Sequence, residues 1–185
     1  MNRYPVVAAL LTAAVISTVA AAGRDGSLVS AVSTGDVNAV RTLLKSGADA
    51  NQRAGDGSTA LLSAVHNSNI EIARALIAAK ATVDTANDFG VTPLLEASRN
   101  GDAAMVDLLL RSGADPKRTH PEGETPLLSA ARAGSVPTVR LLLARGVDVN
   151  AAENVQQTTA LMWAAAEGHT GVVDLLLESG ADPNR

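Results

Sequence analysis

Four threonines recur along the sequence at a nearly constant spacing. Thr59, Thr92, Thr125 and Thr159 stand 33, 33 and 34 positions apart, and similar residues surround each of them. A period of about twenty to fifty residues is typical of solenoids, in which each unit leaves an apolar face that only a neighbouring unit can bury. The spacing therefore predicts a stack of short, similar units.

Each unit carries start and stop signals for two helices. A threonine hydroxyl can cap the first free amides of a helix, and Pro93 and Pro126 follow where a missing N–H costs nothing. A glycine then breaks the chain into a turn, and a leucine-rich second helix follows. The turn glycines are Gly101, Gly134 and Gly168, and the glycines expected to end the second helices are Gly47, Gly113, Gly146 and Gly180.

The core of such a stack must be aliphatic. The 185 residues include one Trp, one Tyr and one Phe, yet 46% of them are hydrophobic because Ala, Leu and Val are numerous. Helices lined with small residues such as Ala130 and Ala164 can approach closely in thin layers. The predicted fold class is an all-α repeat solenoid.

The third unit has the most complete pattern. It reads Gly90-Val91-Thr92-Pro93-Leu94-Leu95-Glu96-Ala97, then Gly101, a leucine run at 108–110, and Gly113-Ala114-Asp115. This sequence resembles the ankyrin repeat, and the pattern recurs around Thr59, Thr125 and Thr159. The resemblance implies about five stacked helix-turn-helix repeats with projecting turns in a domain over 23–185. The repeats are expected near 23–51, 52–84, 85–117, 118–150 and 151–185.

Several positions depart from the family pattern. The histidine that usually follows Thr-Pro-Leu is replaced by Leu62, Leu95, Leu128 and Met162. Ser68 and Lys80 stand where other units have glycine, and each would cost about 1 kcal/mol if held at positive φ. The second repeat is therefore expected to be the weakest internal layer.

The two ends of the repeat array are also unusual. The first unit has no leading turn and is expected to act as an N-terminal cap. The last unit ends at Arg185 without a polar capping repeat, so the outward side of the leucines at 175–177 is expected to be exposed. Either a partner covers this edge or the chain is a piece of something longer.

The N-terminus has the pattern of an export signal. Arg3 supplies a positive charge, an apolar stretch runs over 6–19, and Ala20-Ala21-Ala22 offers a cleavage site. Residues 1–22 are therefore predicted to be a signal peptide, with an uncleaved membrane anchor or a buried helix as the alternatives. The predicted location is outside the cytoplasm: periplasmic or extracellular if the organism is a bacterium.

No constellation of residues points to catalysis, a cofactor or a metal. Cysteine is absent, and His66, His120 and His169 occupy non-corresponding repeat positions. The recurring Asp49, Asp115, Asp148 and Asp182 supply one carboxylate per layer, which suits a tight turn better than a calcium site. A net charge of −4 disfavours nucleic acid as a partner.

A varied surface on a repeated framework is typical of protein recognition. The family resemblance places such a surface on the projecting turns and first helices. The predicted partner-binding residues are Asp88, Phe89, Val91, Glu96, Arg99, Glu122, Glu124, Arg132, Gln156, Trp163 and Glu167. Phe89 and Trp163 are the leading candidates for binding hot spots. Local turn packing is the alternative role for Phe89, and core filling is the alternative for Trp163.

These observations predict a non-enzymatic scaffold that binds an unidentified protein on this surface. Its acidic residues favour a partner with some positive charge. The alternative is a structural or assembly module that stacks its C-terminal repeat on another copy or domain.

Overall fold

The computed structural model describes residues 28–185, which form ten α-helices in five consecutive pairs. The first helices of the pairs are α1 (Leu28–Ser33), α3 (Ala60–His66), α5 (Pro93–Arg99), α7 (Pro126–Arg132) and α9 (Ala160–Ala166). The second helices are α2 (Val37–Lys45), α4 (Ile70–Ala78), α6 (Ala103–Arg111), α8 (Val136–Leu143) and α10 (Thr170–Glu178). Over this range the chain has no strands, and two isolated antiparallel bridges join Arg53 to Thr59 and Ala152 to Thr159. The all-α prediction is confirmed.

The four threonines begin the first helices of repeats two to five. Each threonine has extended backbone, and its hydroxyl accepts a hydrogen bond from the amide three residues later, at 3.2–3.3 Å. Pro93 and Pro126 each occupy the first helical position, where the missing N–H donor leaves no helical hydrogen bond unmade. Thr59, Thr92 and Thr159 are themselves buried and Thr125 is partly buried, so the predicted caps also belong to the packed interior.

Helices stack in two layers. First helices pack on the first helices of adjacent repeats, and second helices pack on second helices. Fully buried leucines line the interior of both layers; they include Leu61, Leu94 and Leu127 in the first layer and Leu76, Leu109, Leu142 and Leu176 in the second. In the last repeat Leu175 is also buried, but Leu177 has 43% of its surface exposed. Of the outward leucines at 175–177, only Leu177 is thus exposed.

Turns between helices require left-handed backbone, including at residues that are not glycine. Ser68 has φ +51° and Lys80 has φ +68°, as the comparison with the glycines of other repeats predicts. Gln157 also has φ +58°, and the sequence analysis did not anticipate it. Gln157 takes the place that Gly57, Gly90 and Gly123 hold before the capping threonine. A non-glycine side chain in this conformation costs about 1–2 kcal/mol, so three turns are strained.

Replacing Ser68 or Lys80 with glycine is expected to stabilise the protein. Each change should raise the free energy of unfolding by about 1 kcal/mol, because it relieves the left-handed strain of the folded state. Urea unfolding monitored by circular dichroism would measure the change. A glycine replacing Arg74, an exposed residue in the middle of α4, is the control and should destabilise the protein by about 1 kcal/mol. If glycine at position 68 or 80 destabilised the protein, the inference that these two turns are strained would be wrong.

The recurring aspartates build turns. The carboxylates of Asp49, Asp115, Asp148 and Asp182 each accept a hydrogen bond at 2.9 Å from the amide two residues later. Neighbouring side chains also tie adjacent repeats together: the side-chain oxygen Oδ1 of Asn51 accepts a hydrogen bond from the Thr82 backbone amide at 2.8 Å. Asn150 makes the same bond with the Asp182 amide at 2.8 Å. The predicted turn role is confirmed.

The predicted signal segment at 1–22 and the start of the first repeat at 23–27 lie outside the described residues. Among the helices of residues 28–185, none combines the length and the apolar character that a membrane span needs.

Candidate functional site

A groove runs along the side of the stack that the projecting turns and first helices form. Two depressions lie along it, each lined by residues of neighbouring repeats. Subsite A belongs mainly to repeats two and three and is lined by residues that include Asp56, Ser58, Leu62, Ser63, His66, Asn87, Phe89, Val91 and Glu96. Subsite B belongs to repeats four and five and is lined by Glu122, Glu124, Leu128, Arg132, Glu153, Val155, Gln156 and Trp163.

Backbone hydrogen bonds hold the turn tips against one another. The Asp88 amide donates to the Asp56 carbonyl at 3.1 Å, and the Asn154 amide donates to the Glu122 carbonyl at 2.9 Å. Between them, the His120 ring contacts the Phe89 carbonyl through Nε2 at 2.8 Å, while its Nδ1 accepts from the Glu122 amide at 3.3 Å. The tips along both subsites are therefore held in place by bonds that cross from repeat to repeat.

A chain of charged side chains crosses the floor of the groove. His66 Nδ1 lies 2.7 Å from Glu96 Oε1, and Arg99 Nη1 lies 4.0 Å from Glu96 Oε2. The Arg99 guanidinium also donates two hydrogen bonds to Glu124, one of them from Nε to Oε1 at 3.2 Å. The Ser129 hydroxyl adds a third bond to Glu124 at 2.7 Å. Arg99 is thus already bound to two carboxylates of the protein itself.

These bonds shift the ionisation of both partners. The hydrogen bond to Glu124 raises the pKa of Arg99 further above its usual range. Burial opposes ionisation of Glu124, but the hydrogen bonds from Arg99 and Ser129 outweigh it and lower the pKa of the carboxyl below its ordinary value. The Glu124 carboxylate therefore stays charged at neutral pH although it is half-buried.

Replacing Glu124 with glutamine is expected to make the stability of the folded protein depend less steeply on pH in the acidic range. Because the folded pKa of Glu124 is lowered, its contribution is fully present above the unfolded pKa of about 4.3 and is lost as pH falls through the folded value. The native protein should therefore lose stability below about pH 5 more steeply than E124Q. Thermal unfolding from pH 3 to 7 would measure this. The conservative control E178Q, on exposed α10, should keep the native slope.

Trp163 forms the end wall of subsite B. Its ring is half-buried, and the Arg132 guanidinium carbon stands 4.9 Å from the ring centroid. Such a cation–π contact is worth about 0.5–1 kcal/mol at an exposed site. The Trp163 ring is therefore partly packed against the protein, and the rest of the ring is exposed to the groove.

Each subsite carries one exposed apolar side chain on a turn tip. Phe89 in subsite A has 67% of its surface exposed, and Val155 in subsite B has 75% exposed. The sequence analysis predicted Phe89 and missed Val155. The sequence does contain a feature that could have indicated Val155. It is an apolar residue between the polar Asn154 and Gln156, in the turn that holds the extra residue of the 34-residue spacing.

The other predicted site residues divide between the subsites and their surroundings. Val91 and Glu96 line subsite A, and Glu122, Glu124, Arg132, Gln156 and Trp163 line subsite B. Arg99 lies between them, in a cleft with Glu124 and Arg132. Asp88 and Glu167 line neither subsite. Asp88 pairs with Arg53 at 3.5 Å, and Glu167 stands one position past the place of Arg99 and Arg132, where it ends α9.

The groove is rich in carboxyl groups. Its described carboxylates accept hydrogen bonds from backbone amides or pair with basic side chains, as Glu153 does with the amides of Val155 and Gln156 at 2.6 Å. Across residues 28–185, no group of three His, Cys, Asp or Glu side chains could hold a metal ion. The groove offers carboxylates, the two arginines Arg99 and Arg132, and apolar side chains between them.

Comparison with known families agrees with this architecture. The family model described as ankyrin repeats (3 copies) matches residues 28–120 and, in an overlapping placement, residues 94–185. No curated protein matches the sequence at a significant level. Repeats of this kind generally serve as protein–protein interaction modules and are typically not enzymes. Because the two placements together cover all ten described helices, the chain belongs to the ankyrin-repeat family.

Proposed function

We propose that this protein is a non-enzymatic scaffold that binds a partner protein in the groove. The observation that carries the proposal is the pairing of exposed Phe89 and Val155 with turn tips that hydrogen bonds hold in place. Large apolar side chains on an ordered surface lose little conformational freedom when they bind, so they contribute strongly to an interface. Trp163, half-exposed beside Arg132, adds a third anchor of the type that dominates interface energies.

A comparison of two double variants tests the groove. W163A with R132A removes the stacked pair from subsite B. L177A with R140A makes the same two kinds of truncation at exposed positions on the second helices. Each protein would be used to capture partners from an extract of the source cells, after circular dichroism confirms folding. We expect a captured protein to be lost with the groove variant and retained with the control. Equal recovery by both would remove subsite B from the binding surface.

The exposed end of the last repeat favours a second candidate function, stacking on another copy of the chain. Met162 has 38% of its surface exposed, whereas its counterparts Leu95 and Leu128 are buried. Ala165 is likewise exposed, although its counterpart Ala131 is fully buried. A second copy could cover these apolar positions as an internal repeat does. Sedimentation of the full chain across a concentration series tests this, and a monomer at all concentrations would exclude it.

We further propose that the protein acts outside the cytoplasm. The positive Arg3, the apolar stretch at 6–19 and the alanines at 20–22 support export. Identifying the N-terminal residue of the protein from the cell envelope or medium tests this. A start near Gly23 would support a cleaved signal, an intact Met1 in the membrane fraction would support an anchor, and recovery from the cytoplasm alone would contradict export.

A further inference from the structure

We propose that the groove binds an extended, basic segment of its partner that carries two apolar side chains about six residues apart. This inference rests on the proposed function, because it names the chemistry of the partner at the same groove. Two features carry it. They are the carboxylates that the protein leaves without a basic partner, and the spacing of the two exposed apolar tips.

Three carboxylates on the turns have no strong cation beside them. Among the ion pairs of residues 28–185, no lysine or arginine partners Asp56, Glu122 or Glu153. Glu122 has 77% of its side chain exposed, and its one ion-pair contact among the described residues is His120 at 4.0 Å. Asp56 accepts from the amide and hydroxyl of Ser58 at 2.9 Å, and these bonds lower the pKa of its carboxyl. None of the three is therefore neutralised by an ion pair with a described lysine or arginine.

Of the two arginines in the groove, only Arg99 is paired with carboxylates of the protein: it is bound to Glu124 and close to Glu96. Arg132 stacks on the Trp163 ring and has no ion pair among the described residues. An acidic partner would have to displace Arg99 from Glu124, and it would face Asp56, Glu122 and Glu153 as like charges against one unpaired arginine. Juxtaposed like charges strongly disfavour association, whereas opposite charges speed it. The charge pattern therefore selects a partner segment rich in lysine or arginine.

The apolar tips set the spacing of the anchors. Phe89 belongs to the third repeat and Val155 to the fifth, so two stacking steps separate them. Stacked helices are about 8–10 Å apart, which places the tips roughly 20 Å apart along the groove. An extended chain advances about 3.3 Å per residue, so about six residues cover this distance. Each anchor would then sit beside a free carboxylate, Asp56 in subsite A and Glu122 in subsite B.

Selection from a display library of random twelve-residue peptides on the full-length protein tests this inference. D56N with E122Q serves for counter-selection, since both changes remove a charge while keeping side-chain shape. D174N with E178Q is the matched control, because it removes two exposed charges from α10. An enriched peptide would then be titrated against each protein by fluorescence anisotropy at low and high salt.

We expect enriched peptides to be basic, with two large apolar residues about six positions apart. D56N with E122Q should weaken binding on the order of fivefold at low salt, and added salt should reduce this difference. The control should bind like the native protein, and F89S should weaken binding about tenfold or more. Enrichment of neutral or acidic peptides, or no enrichment over D56N with E122Q, would overturn the inference. A neutral or acidic partner cross-linked at Phe89 would overturn it while leaving the proposed function intact.

Discussion

Replacing Leu94 with alanine is expected to lower the free energy of unfolding by about 3 kcal/mol, since the change leaves a cavity in a packed interior. Leu94 is fully buried on α5, between the first helices of the repeats on either side. In a stack of repeats each unit depends on its neighbours, so the loss should also weaken the layers beside it. Urea unfolding followed by circular dichroism would measure the change.

Replacing Leu177 with alanine is the matched control for this prediction. The same atoms are removed from a helix of the last repeat, but 43% of the Leu177 surface is already exposed. Its effect should therefore be about 1 kcal/mol or less. Similar losses from both variants would contradict the stacking arrangement, because they would mean that the two leucines are equally buried in solution.

The second large effect is expected from replacing Gly123 with alanine. Gly123 has φ +87°, and an added Cβ would lie 2.7 Å from the backbone nitrogen of Asn154 in the next repeat. That nitrogen donates to the Glu122 carbonyl, so the methyl group would push apart two hydrogen-bonded turns. Left-handed strain and overpacking together should cost about 3 kcal/mol, which thermal unfolding would measure.

Gly113 provides the control for the close approach at Gly123. It has φ +94°, but an added Cβ would have no atom within 4 Å. G113A should therefore show the backbone strain alone, about 1–2 kcal/mol. If G113A and G123A were equally destabilising, the contact between the turns of repeats four and five would not contribute to the free energy of unfolding.

The helices of this fold were predictable because their signals are local. A threonine hydroxyl accepts a hydrogen bond from an amide three residues away. Pro93 and Gly101 each affect only the backbone conformation at their own position. These interactions recur with each repeat, so the sequence reveals them by alignment. The strained turns at Ser68 and Lys80 were predictable for the same reason, since the other repeats have glycine there.

The groove was less predictable because its interactions cross between repeats. Arg99 could be placed on the surface, but its bonds to Glu124 depend on how two layers are displaced relative to each other. The inter-repeat bond from His120 to the Phe89 carbonyl has the same dependence. Glu167 follows the last residue of its helix and lines neither subsite, so its predicted contact with a partner stays a prediction. Val155 was missed because the lengthened turn breaks the alignment.

Photo-cross-linking from the groove would test the central claim most directly. A photoreactive phenylalanine analogue would replace Phe89 in one protein and Glu178, on the exposed end of α10, in another. Both proteins would be irradiated in the source cells and the cross-linked products identified by mass spectrometry. The proposed function predicts a specific protein joined at position 89 and absent from position 178. Products that are the same at both positions, or none at position 89, would contradict binding in the groove.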